Sequence, residues 1–154
     1  MIRKLQPDDW ALLRTVRLAA LQDTPLAFGS THAREVLFDE ATWRRRIAEG
    51  TWLVDVADDV AVGVIAAFAQ GEGWHVVSMW VSAACRRGGR ASGLLQELIR
   101  YAQAAGARSL DLYVVDNNET ARRLYERHGF MRNGVQRPYP NAPGLTESEM
   151  RLSL

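Results

Sequence analysis

Cysteine is almost missing from this sequence. Cys85 is the single thiol in 154 residues, which excludes an intrachain disulfide framework and any zinc site built from several thiolates. A surplus of one charge sign is missing as well. Nineteen basic side chains meet 18 acidic ones, and a formal +1 commits the chain neither to nucleic acid nor to an anionic membrane. The longest apolar stretch, Val60 to Ala69, is interrupted by Gly63 and falls far short of the ~20 residues that span a bilayer. Repeats, low-complexity tracts and Gly/Ser-rich linkers are lacking, and Met1 to Gln6 carries no signal-peptide apolar run. What remains, 47% hydrophobic and 24% charged, is the composition of a folded protein and excludes disorder. One domain of ~150 residues accounts for the length. Residues 1–154 are therefore expected to form a single cytoplasmic domain, with no membrane or nucleic-acid partner.

Periodicity divides the chain into elements. A short strand at Ile2 to Gln6 ends at Pro7, and Asp8 or Asp9 caps a helix carrying Leu12, Leu13, Val16 and Ala20 at helical spacing. Pro25 ends it. A second helix, around Ala41 to Glu49, begins near Asp39 and stops at Gly50. Three strands follow as an antiparallel meander: Thr51 to Val56, Val60 to Ala69 and Trp74 to Val81, with turns at Asp58-Asp59 and Gly71-Glu72-Gly73. Then the period lengthens. Ala91, Leu94, Leu95, Leu98, Ala102 and Ala105 share one helical face, and Gly106 stands at the C-cap. Leu110 to Val115 reads as a strand, and Asn118 caps a helix with Ala121, Leu124, Tyr125 and His128 on one face. Strand, helix, strand in this order makes a right-handed βαβ unit with parallel strands. Phe130 to Gln136 and Glu149 to Leu152 close the sheet. The expected fold is mixed α/β: a mostly antiparallel sheet with a central parallel strand pair and flanking helices.

The junction Cys85-Arg86-Arg87-Gly88-Gly89-Arg90-Ala91-Ser92-Gly93 lies between a strand end and a helix start. Unpaired N–H groups and the helix dipole favour an anion there, glycines let a phosphate approach, and Arg86, Arg87 and Arg90 add charge. No Lys-Ser/Thr follows, and the glycines miss the dinucleotide spacing, so a pyrophosphate cradle of another kind is indicated.

Two patterns in order resemble the GNAT superfamily of acetyl-CoA-dependent N-acetyltransferases. Arg86-x-x-Gly89-x-Ala91 is similar to the signature at the start of that family's central helix, and Met79-Trp80-Val81 precedes it on the strand. Asn118, Ala121, Tyr125, Gly129 and Phe130 match the family's later Asn-x-x-Ala-x-x-x-Tyr-x-x-x-Gly-Phe pattern. Arg87 stands where the family commonly has glycine, and Ala83 where it often has proline.

The resemblance implies a splay between the parallel strands, with acetyl-CoA between them and no metal. Loop N–H groups from Arg87 through Gly88, Gly89 and Arg90 to Ala91 would hold the pyrophosphate, with Arg86 beside them. Met79 and Val81 would pair with the pantetheine arm, the Val81 N–H serving as oxyanion donor, and Asn118 would contact the arm or hold the strand end. Transfer would run directly to a primary amine through a tetrahedral intermediate, with Tyr125 binding the cofactor's sulfur and acting as general acid. Cys85 is not expected to take the acyl group, and His128 is expected to pack. His75 is the first-choice base, with Glu72 and Glu35 as alternatives. The acceptor site would come from Leu21 to Phe38 and Tyr139 to Gly144, where residues 22–50 carry five acidic and four basic side chains and select no substrate. Arg44-Arg45-Arg46 reads as a solvated helix face. A small-molecule amine is the preferred acceptor, over a protein N-terminus or lysine, and a homodimer is left open. A non-catalytic acetyl-CoA sensor and an Arg/Gly nucleic-acid binder are the rivals from other classes.

Overall fold

In the computed structural model, which describes residues 1–154, every strand of the chain joins one seven-stranded sheet. β1 (Ile2–Lys4), β2 (Thr51–Ala57), β3 (Val60–Gln70) and β4 (Gly73–Val81) run antiparallel, as the alternating apolar pattern predicts. The two-residue turn between β2 and β3 is made by Asp58 and Asp59, both at positive φ, whose twist suits a hairpin. β5 (Ser109–Val115) lies parallel to β4, and β7 (Thr146–Ser153) intervenes between β5 and β6 (Met131–Pro138).

Helices cover both faces. α1 (Trp10–Asp23) and α3 (Glu40–Glu49) bury Leu13, Val16, Trp43 and Ile47 against Trp52, Val54, Val64 and Ala66. On the other face α4 (Arg90–Ala104) and α5 (Glu119–Arg127) bury Leu94, Leu95, Leu98, Leu124 and Tyr125 against Leu110, Leu112 and Val114. Asp39 and Asn118 cap α3 and α5, their carboxylate and amide oxygens accepting from the N–H groups of Thr42 and Ala121. Asp9 does not cap α1 in this way. Its carboxylate instead accepts from the Gln6 N–H and Arg3, closing a 3₁₀ turn at Pro7–Asp9. A one-turn helix, α2 (His32–Glu35), was not expected, and the last strand starts three residues early. No helix is long and apolar enough to cross a membrane.

One irregularity decides the use of this sheet. Val64 pairs with Trp80 and Ala66 with Val77, so Ile65 of β3 faces two residues of β4, Ser78 and Met79. That is a β-bulge, with Ser78 forced to φ 61. The bulged strand bends away from its parallel neighbour. β4 and β5 pair only at Trp74–Leu110 and His75–Asp111, and beyond that point they diverge.

Candidate active site

The divergence opens a cavity of about 490 Å³ whose lining includes Ser78, Met79, Asn118, Ala121 and Tyr125. Its roof comes from the segments 27–30 and 139–141, tied together where the Tyr139 hydroxyl and the Asn141 amide donate to the carbonyls of Leu26 and Phe28. The structure thus brings together both segments expected to form an acceptor pocket.

At the start of α4, six consecutive backbone N–H groups, Arg87 to Ser92, donate to no acceptor in the protein. Gly89 is the N-cap at φ 81, and Arg87 also lies in the left-handed region at φ 65. Glycine adopts that conformation freely and arginine does not, which is the physical meaning of the substitution there. A Cβ on Gly89 would meet nothing within 4 Å, so backbone conformation rather than crowding requires this glycine. Gly88 has no positive φ, and its Cβ would meet only the Cys85 carbonyl at 3.9 Å, so it tolerates a side chain. The arginines divide their work. Arg86 donates from Nε to the Val81 carbonyl (2.9 Å) and from Nη2 to Asp23 (2.6 Å), while Arg90 turns away to Asp55 (2.8 Å). Arg86 and Arg90 therefore brace β4 and β2, which leaves the backbone N–H groups and the exposed, unpaired Arg87 free at the loop.

The same contact orients Val81. Its carbonyl is bound by Arg86, and the next residue, Ser82, donates its N–H to Val62 of β3. Backbone groups alternate sides along a strand, so the Val81 N–H points away from β3, on the side from which β5 has parted. Tyr125 sits across it, 6% exposed and edge-on to Phe130 at 5.6 Å. Burial pushes its phenol above the usual tyrosine range.

The proposed bases separate clearly. Glu35 is 1% exposed and bound by both Arg17 and Arg46. Burial raises its carboxyl, but the two guanidiniums outweigh that and hold it at about 2, which makes it a poor base. Glu72 is solvated beside Arg108 and lies outside the cavity. His75 lines the cavity, its Nδ1 bound to Asp111 (2.5 Å) at the point where the strands part. It stands six residues from Val81, however, or ~20 Å along a strand, so only water could link the two. His128 bonds to Ser92 at 2.8 Å and joins α5 to α4, a packing role.

Residues 16–130, about three quarters of the chain, match the model of the Acetyltransferase (GNAT) family. The chain belongs to that family. It is therefore an acetyltransferase by descent, and solved structures agree on the fold. The GNAT-family acetyltransferase of Streptococcus pneumoniae superposes with TM-score 0.85 at 22% identity, over 100% of this chain and 98% of that one. The PaiA N-acetyltransferase of Thermoplasma acidophilum, solved with coenzyme A, gives 0.76 at 18% identity, over 100% and 98%. Among curated proteins, "Putative phosphinothricin acetyltransferase YwnH" of Bacillus subtilis (strain 168) is 37% identical over 73 residues. That match covers 47% of this chain and 41% of the relative, so less than half of that protein is spanned.

Several residues of this GNAT cavity escaped the sequence reading. Ser78 is held in its bulge by Arg17, whose Nη1 donates to Oγ at 3.0 Å. Glu147 is buried on the cavity wall opposite Val115, with Arg137 bound to Oε1 and Oε2 left without a side-chain partner. Glu147 pairs with Val115, four residues beyond Asp111 on β5, where β4 and β5 have already parted. The run Arg44-Arg45-Arg46 is not one solvated face. Arg44 and Arg45 face solvent, and Arg46, 22% exposed, turns inward onto Trp52 and Glu35.

Proposed function

We propose that this protein transfers the acetyl group of acetyl-CoA directly to the primary amine of a small molecule, the whole chain acting as one catalytic domain. The observations that carry the reading are the parting of β4 from β5, on the side to which the Val81 N–H turns, and the six unpaired N–H groups where the chain leaves β4 and enters α4. Those N–H groups fit a pyrophosphate: they are consecutive, unsatisfied and placed at the positive end of α4. Acetyl-CoA supplies the activated acyl group as a thioester. The N–H groups of Arg87 to Ser92 hold its phosphates, and Met79 and Val81 offer free strand edge to its amides. The Val81 N–H donates to the carbonyl oxygen as negative charge develops there. The Tyr125 hydroxyl donates to the departing sulfur. Glu147, reached through water, takes the proton released by the amine, with His75 and its partner Asp111 as a more remote sink.

A half-open cavity of this size, roofed by residues 27–30 and 139–141, suits a small acceptor, and the name of the curated relative points the same way. The test is a CoA-release screen over small amines and N-terminal peptides, followed by the mass of the product. Small amines should be acetylated, and the rate should climb with pH as an ammonium of pKa near ~10 gives up its proton. In the same assay Glu147→Gln should lower kcat more than His75→Asn. Acetylation confined to peptides would refute the small-molecule reading.

A further inference from the structure

Charge is unevenly balanced around the cavity. Arg137 is matched by Glu147, and His75 by Asp111. Arg17 and Arg46 share the single carboxylate of Glu35, which leaves one positive charge in excess in a cluster that is mostly out of water. The excess falls on Arg46. Arg17 spends Nε and Nη2 on the two oxygens of Glu35 and Nη1 on Ser78. Arg46 commits only Nη1, to Glu35 at 2.8 Å, and its Nε and Nη2 donate to nothing in the protein. Its guanidinium is fixed by the rings of Trp43 and Trp52, 5.0 and 5.3 Å from their centroids, on the cavity wall. In the same lining the hydroxyl of Ser30 is buried without a partner, whereas the free donors of Arg46 remain partly exposed to the cavity.

Burying a net charge is unfavourable unless a counter-charge arrives. A rigid guanidinium fork with two free donors is the protein group best matched to a planar carboxylate or similar oxyanion. From these observations we infer that the acceptor amine carries an acidic group, and that Arg46 binds it. The inference rests on the acetyltransfer reading above and narrows it. Amino acids and related acid-bearing amines fit the site, whereas polyamines and aminoglycosides would bring further positive charge to Arg46.

The test uses amino acids paired with their own carboxamides, which differ only in the anionic group. The wild type should favour the best acid over its amide by at least ~30-fold in kcat/KM, in line with a charge-assisted pair in a shielded site. Arg46→Met should bring that ratio close to unity, and Arg46→Lys should restore part of it. Both variants keep the two Glu35 oxygens paired by Arg17, so the fold is preserved. Amides equal to or better than acids in the wild type would overturn the inference, as would an unchanged ratio in Arg46→Met. Should no amine turn over, calorimetric titration of the same pairs into the acetyl-CoA-loaded protein decides the matter separately. Tighter binding of acids, lost in Arg46→Met, would sustain the anion site while the acetyltransfer reading fell; equal binding would overturn the anion site itself.

Discussion

Replacing Tyr125 by phenylalanine should lower kcat about 100-fold, within the usual range for a proton-transfer group, and leave acetyl-CoA affinity unchanged. The ring is buried against Phe130 and lines the cavity, and phenylalanine keeps that packing, so the melting temperature should hold. Burial has two consequences for the hydroxyl. It keeps the proton on the phenol throughout the physiological range, so the donor is always charged with its hydrogen. It also makes full transfer to a thiolate with a conjugate acid near ~8.5 uphill. Desolvation raises the proton affinity of a buried thiolate too, which narrows that gap. Tyr125 is thus best described as a hydrogen-bond donor to the forming thiolate, with net protonation completed as the amine's proton is lost. Single-turnover rates with the acetyl step limiting are the measurement. An unchanged rate would return Tyr125 to a packing role.

Glu35→Ala should destabilise the fold by about 3 kcal/mol, because it strands two guanidiniums that are largely out of water. For a chain of this length that corresponds to a fall of roughly 6–12 °C in Tm. Acid should produce the same loss gradually. The folded-state carboxyl is held at about 2 against 4.5 unperturbed. The stability it contributes is therefore complete above pH 4.5 and disappears as pH falls towards 2. Thermal melts across that window should fall steeply for the wild type and less steeply for Glu35→Gln, which has no proton to take up. Parallel curves for the two would show that the ion-pair cluster does not govern acid stability. Because Arg17 also holds Ser78, loss of Glu35 should loosen the bulge that parts the strands.

Periodicity carried most of the fold. Alternation in Thr51 to Val81 and the 3.6-residue spacing in Ala91 to Ala105 each have one physical solution, and the order strand–helix–strand fixes the parallel pair. The unpaired N–H groups at the start of α4 were legible as a candidate anion site because glycines and arginines gather at that strand-to-helix junction. Tertiary features were not. A bulge at Ser78 is set by how β3 and β4 pair, and Ser78 is ordinary in its local context. α2 is a single turn, too short to show a period. Arg46 differs from Arg44 and Arg45 only in which side of α3 it occupies, and the unusual demand for an arginine there comes from Glu35, eleven residues away in the chain. Glu147 and Asp111 sit within strands whose placement depends on the order β5–β7–β6, which no local pattern encodes.

The role proposed for the unpaired N–H groups at the start of α4 is to hold the phosphates of acetyl-CoA. Calorimetric titration of acetyl-CoA into the wild type and Gly88→Glu tests it most directly. Gly88 accepts a side chain without backbone strain, unlike Gly89, and a carboxylate placed there competes for the same N–H groups without disturbing the core. Saturable binding in the wild type, weakened at least ~100-fold in Gly88→Glu at an unchanged melting temperature, is the expected result, of the size a lost set of charge-assisted bonds produces. Equal affinity in the two proteins would contradict it.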